Sequence, residues 1–221
     1  MSTHHPEKLV QIPIDSVLLE GALAIPQHAQ GLVVFAYGSG SSRFSPRNNV
    51  VAQVLRRAGI GTLLMDLLTE QEDAVYETRF DIHLPTDRLL LATRWLHKQA
   101  DTKHLTIGYF GASTGAAAAL KAAAALGSSI GAVVSRGGRP DLAEEALMHV
   151  QSPTLLTVGG NDKAVLHLNR EAFAKLPGEK ELVIVPGASH LFEEPGALEE
   201  VAREAAQWFA RYLPRGSARP A

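Results

Sequence analysis

The chain of 221 residues contains no cysteine. That absence excludes a disulfide scaffold, a thiolate nucleophile and any cysteine-ligated metal. A basic excess is also missing: 21 Lys and Arg stand against 23 Asp and Glu, a net charge of -2. A nucleic-acid surface would carry surplus positive charge. No apolar run approaches the roughly 20 residues that cross a bilayer. The opening stretch MSTHHPEKLVQIP has no signal-peptide apolar core. His4 and His5 are adjacent, without helical ligand spacing or an evident partner, and read as polar terminus rather than metal site. There is no internal repeat, low-complexity tract or linker. A hydrophobic fraction of 46% and a charged fraction of 20% are ordinary for a soluble globular protein. The expectation is one domain across residues 1–221, with disordered tails at 1–7 and 214–221. A cytoplasmic enzyme acting on a small molecule is expected, with neither a nucleic-acid nor a membrane partner. Association into a homodimer is compatible with the composition.

What is present is an alternation of short β-branched runs with longer runs of helical period. Leu9 to Ile14 and Val17 to Ile25 read as strands joined by a turn at Asp15-Ser16. Leu32 to Ala36 is continuously apolar, as in a strand buried on both faces. Ser45-Pro46 opens a helix that runs to Arg57 and stops at Gly59, and Ile60 to Leu67 is the next strand. Thr69 to Thr78 reads as a polar loop. Asp81 to Gln99 reads as a long amphipathic helix whose first turn Pro85 sets apart. Strands at Leu105 to Phe110, Ile130 to Ser135, Thr154 to Val158 and Leu182 to Val185 follow. They alternate with helices at Thr114 to Leu126, Asp141 to Val150, Val165 to Leu176 and Pro195 to Tyr212. This rhythm predicts an α/β, doubly wound, mostly parallel sheet with helices on both faces and an antiparallel edge.

The run Gly111-Ala112-Ser113-Thr114-Gly115 is a G-x-S-x-G motif between a strand and an Ala-rich helix. A serine at such a junction is held in a tight, strained turn with its hydroxyl at the carboxyl edge of the sheet. The flanking glycines are expected because a Cβ there would crowd the turn. A serine hydroxyl needs a base to take its proton, and the base needs a carboxylate to fix its tautomer. In a doubly wound sheet such groups lie just after strands. Asp162, in Gly159-Gly160-Asn161-Asp162, and His190, in Gly187-Ala188-Ser189-His190, meet that condition. The chain order Ser113, Asp162, His190 is the Ser…Asp…His order of nucleophile-elbow hydrolases.

Plainer readings exist for each residue. Asp162 also fits a turn residue or helix N-cap, and His190 a loop histidine. Asp141 is a rival acid, although Arg139-Pro140-Asp141-Leu142 reads first as an N-cap. His97, His149 and His167 fall within predicted helices, His28 and His104 at the amino edge of the sheet, and His83 near a helix start. The oxyanion of an acyl-transfer intermediate needs N–H donors. Thr114 N–H, at a helix start, is one. The loop Tyr37-Gly38-Ser39-Gly40-Ser41-Ser42-Arg43 offers a second, with Ser39 N–H the expected donor. This loop matches neither a phosphate-binding G-x-x-x-x-G-K-[ST] motif nor a G-x-G-x-x-G fingerprint, since Arg43 occupies the last glycine position.

From Val17 to Tyr212 the chain resembles the α/β-hydrolase superfamily and, more narrowly, the dienelactone-hydrolase-related group of small bacterial hydrolases. The segments that carry the likeness are 37–48, 108–116, 159–162 and 187–192. The resemblance implies Ser113 as nucleophile, His190 as general base and acid, Asp162 as orienting carboxylate, and no cofactor. A serine stands where dienelactone hydrolases proper have cysteine, and Tyr37 stands where related loops commonly begin with histidine. Between Ser135 and Pro153 there is room for one helix only, so the lid domain many members carry is absent. An open site for small esters, lactones or thioesters is expected. Tyr37, as a loop support or hydrogen-bond donor, completes the expected substrate contacts with the arginines. Arg43, Arg47, Arg136 and Arg139 lie in loops at the same edge; one or two of them are expected to fork onto a substrate carboxylate, with Arg43 and Arg136 foremost. The alternative is that they pair with Asp66 or loop carbonyls. The competing functional reading is a non-catalytic module of this fold that binds a ligand or partner.

Overall fold

The computed structural model describes residues 7–14, 17–38, 40–75 and 81–214. The expected tails and the expected turn at Asp15-Ser16 lie almost wholly outside the described residues. Within them, β1 (Lys8–Ile14), β2 (Val17–Ala24), β3 (Gly31–Ala36), β4 (Gly61–Met65), β5 (Thr106–Ala112), β6 (Ile130–Arg136), β7 (Thr154–Gly159) and β8 (Lys180–Val185) form one sheet. Their spatial order is β1-β2-β4-β3-β5-β6-β7-β8. β1 and β2 run antiparallel to their neighbours, and every other pairing is parallel.

The burial of each strand follows its place. β3 and β4 are buried at every residue, as central strands covered on both faces must be. β1 buries only Ile12 and Ile14 and carries Pro13, which an edge strand tolerates because no further strand needs its N–H. Along β3, Val33 and Phe35 join the core beneath α1 (Pro46–Arg57) and α6 (Ala197–Tyr212). Leu32 and Val34 join the opposite core, beneath α3 (His83–Leu96), α4 (Thr114–Leu126) and α5 (Lys163–Lys175). That alternation is the two-residue period of a strand serving two cores. The alanines of α4 from Ala116 to Ala119, with Ala122 and Ala123, are fully buried. Small side chains let this helix lie close against the sheet. β3 pairs with β4 on one side and β5 on the other, so the chain reverses its direction of winding there. The crevice at the carboxyl ends of β3 and β5 is the topological switch point, where open α/β sheets bind ligands.

Three local expectations change. The stretch expected as a loop from Thr69 holds a short helix, α2 (Glu70–Asp73), closed by a capping box between Thr69 and Glu72. Pro85 does not set apart the first turn of α3; it lies in that turn, where its missing N–H has no intrahelical partner to lose. The helix expected at Asp141 to Val150 is a 3-10 segment, Pro140–His149, kinked at Glu144 with φ 55°. A positive φ at that residue interrupts an α-helical ladder. No described helix is long and apolar enough to cross a membrane.

Glu72 also anchors α2 to α3. Arg88, itself 5% exposed, forks onto Glu72 with two 2.6 Å bonds and donates to Leu67 O at 2.7 Å. Hydrogen bonding from Arg88 is the main cause that lowers the Glu72 carboxyl from 4.5 to about 2. A depressed carboxyl adds stability above its unfolded value and loses it as pH falls through the folded one. Melting temperature measured from pH 7 to pH 2 should therefore drop below about pH 4.5, and Glu72→Gln should flatten that drop while melting lower at pH 7. An unchanged acid limb in Glu72→Gln would remove Glu72 as its source.

Candidate active site

Ser113 sits between β5 and α4 with φ 52° and ψ -126°. This region is costly for a residue with a Cβ, of order 1–3 kcal/mol, so the surroundings must enforce it. Ser113 N–H donates to Arg136 O at 3.3 Å, and Ser113 O accepts from Arg139 N–H at 3.0 Å and Ala116 N–H at 3.1 Å. The end of β6 thus grips the turn from both sides. A Cβ on Gly111 would lie 2.4 Å from Ala116 Cα, and one on Gly115 would lie 2.2 Å from Ala36 O. Both glycines are required because backbone meets backbone there. Gly38 completes the packing; a Cβ on it would stand 3.0 Å from both Ser113 Cβ and Thr114 Oγ1. Ser113 and Thr114 remain half-buried, open to a ligand.

The acid and the histidine arrive on two loops stitched together. Gly160 N–H donates to Val185 O at 2.8 Å, Asn161 N–H to Ala188 O at 2.9 Å and Asn161 Nδ2 to Gly187 O at 2.8 Å. Across that seam His190 Nδ1 lies 2.7 Å from Asp162 Oδ2. The other oxygen, Asp162 Oδ1, accepts from Val165 N–H at 3.4 Å and caps α5. The N-cap reading of Asp162 and the histidine-partner reading are therefore both met, one by each oxygen. A carboxylate on Nδ1 favours the tautomer with the proton on that nitrogen, leaving Nε2 as the acceptor. A Cβ on Gly137 would lie 3.1 Å from His190 O and 3.6 Å from His190 Nδ1. Residues 136 and 137 thus contact the serine turn and the histidine loop in succession. Nothing in the sequence reading pointed to Gly137; the Gly-Gly pair straight after β6 was the available signal.

The loop after β3 is held by one carboxylate. Asp66 Oδ1 accepts from Arg43 N–H at 2.7 Å and from the Tyr37 hydroxyl at 3.2 Å, and Asp66 Oδ2 pairs with the Arg43 guanidinium. Arg43 also pairs with Glu20. Both ends of the 37–43 loop are thereby fixed to the end of β4. Burial first, and then Asp66, push the Tyr37 hydroxyl well above its ordinary value, so it stays neutral. Ser39 lies outside the described residues. Arg139 forks onto Asp141 at 2.9 and 2.7 Å, which occupies both members of that pair. Arg136 is 8% exposed, and its Nη1 is buried without a hydrogen-bond partner. A cavity of about 680 Å³ opens beside the turn, lined among others by Tyr37, Gly38, Phe44, Leu67, Ile82 and Thr114. Its lining includes Thr114 and Gly115 but neither Ser113 nor His190. Among the described residues no group of three or more His, Asp or Glu side chains is arranged to hold a metal ion.

A strained serine turn after the fifth strand, in this sheet order, with an acid after the seventh and a histidine after the eighth, defines the α/β-hydrolase fold. The chain belongs to the dienelactone hydrolase family, whose family model matches residues 19–213. It is 55% identical to a dienelactone hydrolase from Anabaena variabilis. That crystal structure superposes with a TM-score of 0.92 over 94% of this chain and 98% of that one. Est1E from Butyrivibrio proteoclasticus, 16% identical, shares the fold with a TM-score of 0.78 over 92% of this chain and 98% of that one. Two Mycobacterium tuberculosis proteins provisionally named as phosphoribosyl transferases are 55% identical over 204 residues. The match covers 92% of this chain but 46% of each of theirs, so the chain spans about half the length of those relatives.

Gly115→Ala should force the turn apart, because the clashing atom is a backbone oxygen. Overpacking of this kind typically costs about 1–3 kcal/mol, seen as a lower melting temperature; an unchanged one would show that the turn has slack.

Proposed function

We propose that the chain is a serine hydrolase of carboxylic esters or related acyl bonds in small molecules, lactones and thioesters included. The observation that carries this reading is the 2.7 Å contact between His190 Nδ1 and Asp162 Oδ2, on loops at the same carboxyl edge of the sheet as the strained turn that presents Ser113. Ser113 Oγ attacks the acyl carbon while His190 Nε2 takes its proton. Asp162 holds the ring and balances the imidazolium. The carbonyl oxygen becomes an oxyanion, received by Thr114 N–H at the start of α4, where the helix dipole favours negative charge. Ser39 N–H is the second donor in this scheme. His190 then returns the proton to the leaving group, and water releases the acyl group from Ser113 by the same steps in reverse.

The cavity of about 680 Å³ beside Thr114 suits a small substrate. The transferase name of the mycobacterial relatives describes proteins about twice as long; we assign that activity to the portion this chain does not match. A binding module of the same fold would have no need of a carboxylate-oriented histidine at the sheet edge that carries a strained serine.

A fluorophosphonate probe should label the protein at Ser113. Labelling should vanish in Ser113→Ala and nearly vanish in His190→Ala, with ester turnover falling roughly 10⁴-fold in each. Asp162→Asn should depress kcat much more than it raises KM. Equal labelling of Ser113→Ala would refute the assignment, and absent labelling with ligand-dependent thermal stabilisation would favour the binding module.

A further inference from the structure

Asn169 lies in the middle of α5, on the face that also carries Leu166 and Ala172, and is fully buried. Its Nδ2 donates twice, to Val165 O one turn back at 2.8 Å and to Gly138 O at 2.9 Å. Its Oδ1 is buried and has no hydrogen-bond partner among the described residues. The amide must face this way, because an oxygen set against two carbonyl oxygens would repel both. A leucine would match the branched shape of the side chain and the apolar stripe of the helix, and would leave no buried oxygen unpaired. An asparagine at this place points to a use for its donors. Val165 O lies within α5, where the helix ladder already serves it. That leaves the bond to Gly138.

A Cβ on Gly138 would lie 2.0 Å from Ser135 Oγ and 2.5 Å from Ala116 Cβ, so glycine lets this backbone close on β6 and α4. A peptide unit is planar, with its oxygen and its N–H on opposite sides. The carbonyl that Asn169 holds and the N–H of Arg139 form one such unit. Arg139 N–H donates to Ser113 O at 3.0 Å. Ser113 O and Thr114 N–H form the next unit, and Thr114 N–H is the oxyanion donor of the mechanism above. Ser113 O also accepts from Ala116 N–H at 3.1 Å, a bond internal to the turn. Hydrogen bonds in series polarise one another. From Asn169 Nδ2 they run in one direction, through two peptide planes, to the place where negative charge develops.

We propose that Asn169 is a positioning residue for the oxyanion donor. Through the 138–139 and 113–114 peptide units it fixes and polarises Thr114 N–H, and so stabilises the tetrahedral intermediate without touching substrate. This rests on the hydrolase reading above and deepens its account of the oxyanion site. Removal of a direct oxyanion donor typically lowers kcat roughly a hundredfold or more. A residue two peptide units away should be worth about tenfold.

Asn169→Leu keeps the branched shape and removes both donors. It should lower kcat for p-nitrophenyl butyrate about tenfold, with KM changed less than about twofold. Reaction of Ser113 with a fluorophosphonate, which also sets an oxygen on that donor, should slow by a similar factor. The acid limb of kcat/KM against pH should stay in place, because His190 and Asp162 are not displaced. A loss carried mainly by KM overturns the assignment. So does a displaced acid limb, which would instead place the effect on Asp162, whose Oδ1 meets Val165 N–H in the same helix. Asn169→His, which restores one N–H donor, should recover part of kcat. Should Asn169→Leu fail to fold, Asn169→Ser serves instead: its hydroxyl bonds one turn back in the helix and leaves Gly138 O unheld, with the same loss expected. A second readout needs no turnover. In proton–nitrogen correlation spectra of the full chain, the Arg139 and Thr114 amide protons should move upfield in Asn169→Leu as their hydrogen bonds lose polarisation. Unmoved resonances at both positions overturn the relay. Labelling of Asn169→Leu at the unsubstituted rate sinks the relay alone. Absent labelling of the unsubstituted protein with shifted amide resonances sinks the hydrolase reading and leaves the relay.

Discussion

The strained turn at Ser113 depends on backbone approaching backbone with no side chain between. Gly115 lies against Ala36 O, Gly111 against Ala116 Cα, and Gly38 against Ser113 Cβ. These contacts bring the ends of β3 and β5 and the start of α4 together at a single point. The alanines of α4 extend the same condition along the helix, because larger side chains would lift it from the sheet and release the turn. The positive φ of Ser113 is tolerated only inside this packing, with Arg136 O and Arg139 N–H bonded to either side of it. Every other feature of the site is placed relative to that turn.

Charge at this edge is arranged in two ways. Where a loop must be held, an arginine meets a carboxylate: Arg43 with Asp66, Arg139 with Asp141, Arg88 with Glu72. The Asp66 carboxylate holds both Tyr37 and Arg43, one at each end of their loop. Asp162 divides its two oxygens between capping α5 and orienting His190, which ties the imidazole to a helix rather than to a free loop. Arg136 follows the opposite pattern: its buried Nη1 has no hydrogen-bond partner, while its carbonyl accepts from Ser113 N–H.

Membership in the dienelactone hydrolase family fixes the scaffold and the positions at which chemistry can occur. Fold does not by itself give substrate. The relatives of twice the length show that this unit also occurs within larger proteins. Their name and the family's name describe different halves in the reading proposed here, so the chemistry of the present chain has to be argued from its own side chains.

Much of this was legible in the chain itself. Buried strands announce themselves as continuous apolar runs, and the central strands at residues 31–36 and 106–112 fall within a residue or two of the expected positions. G-x-S-x-G could be read because backbone crowding permits only glycine beside that turn, a constraint local enough to leave its mark on sequence. The order of Ser113, Asp162 and His190 was visible because each lies just past the carboxyl end of a strand. The short helix α2, the kink at Glu144 and the unbroken first turn of α3 were not visible, since tertiary contacts decide segments of weak propensity. The arginines show the limit most clearly. Arg43, Arg47, Arg136 and Arg139 look alike in sequence, and only the fold determines which of them has a carboxylate within reach. Residue type and local spacing settled the strands, the turn and the order of the proposed reactive groups. Pairing between distant charges was decided by three-dimensional proximity alone, because an ion pair spans a few ångströms of space and leaves no period along the chain.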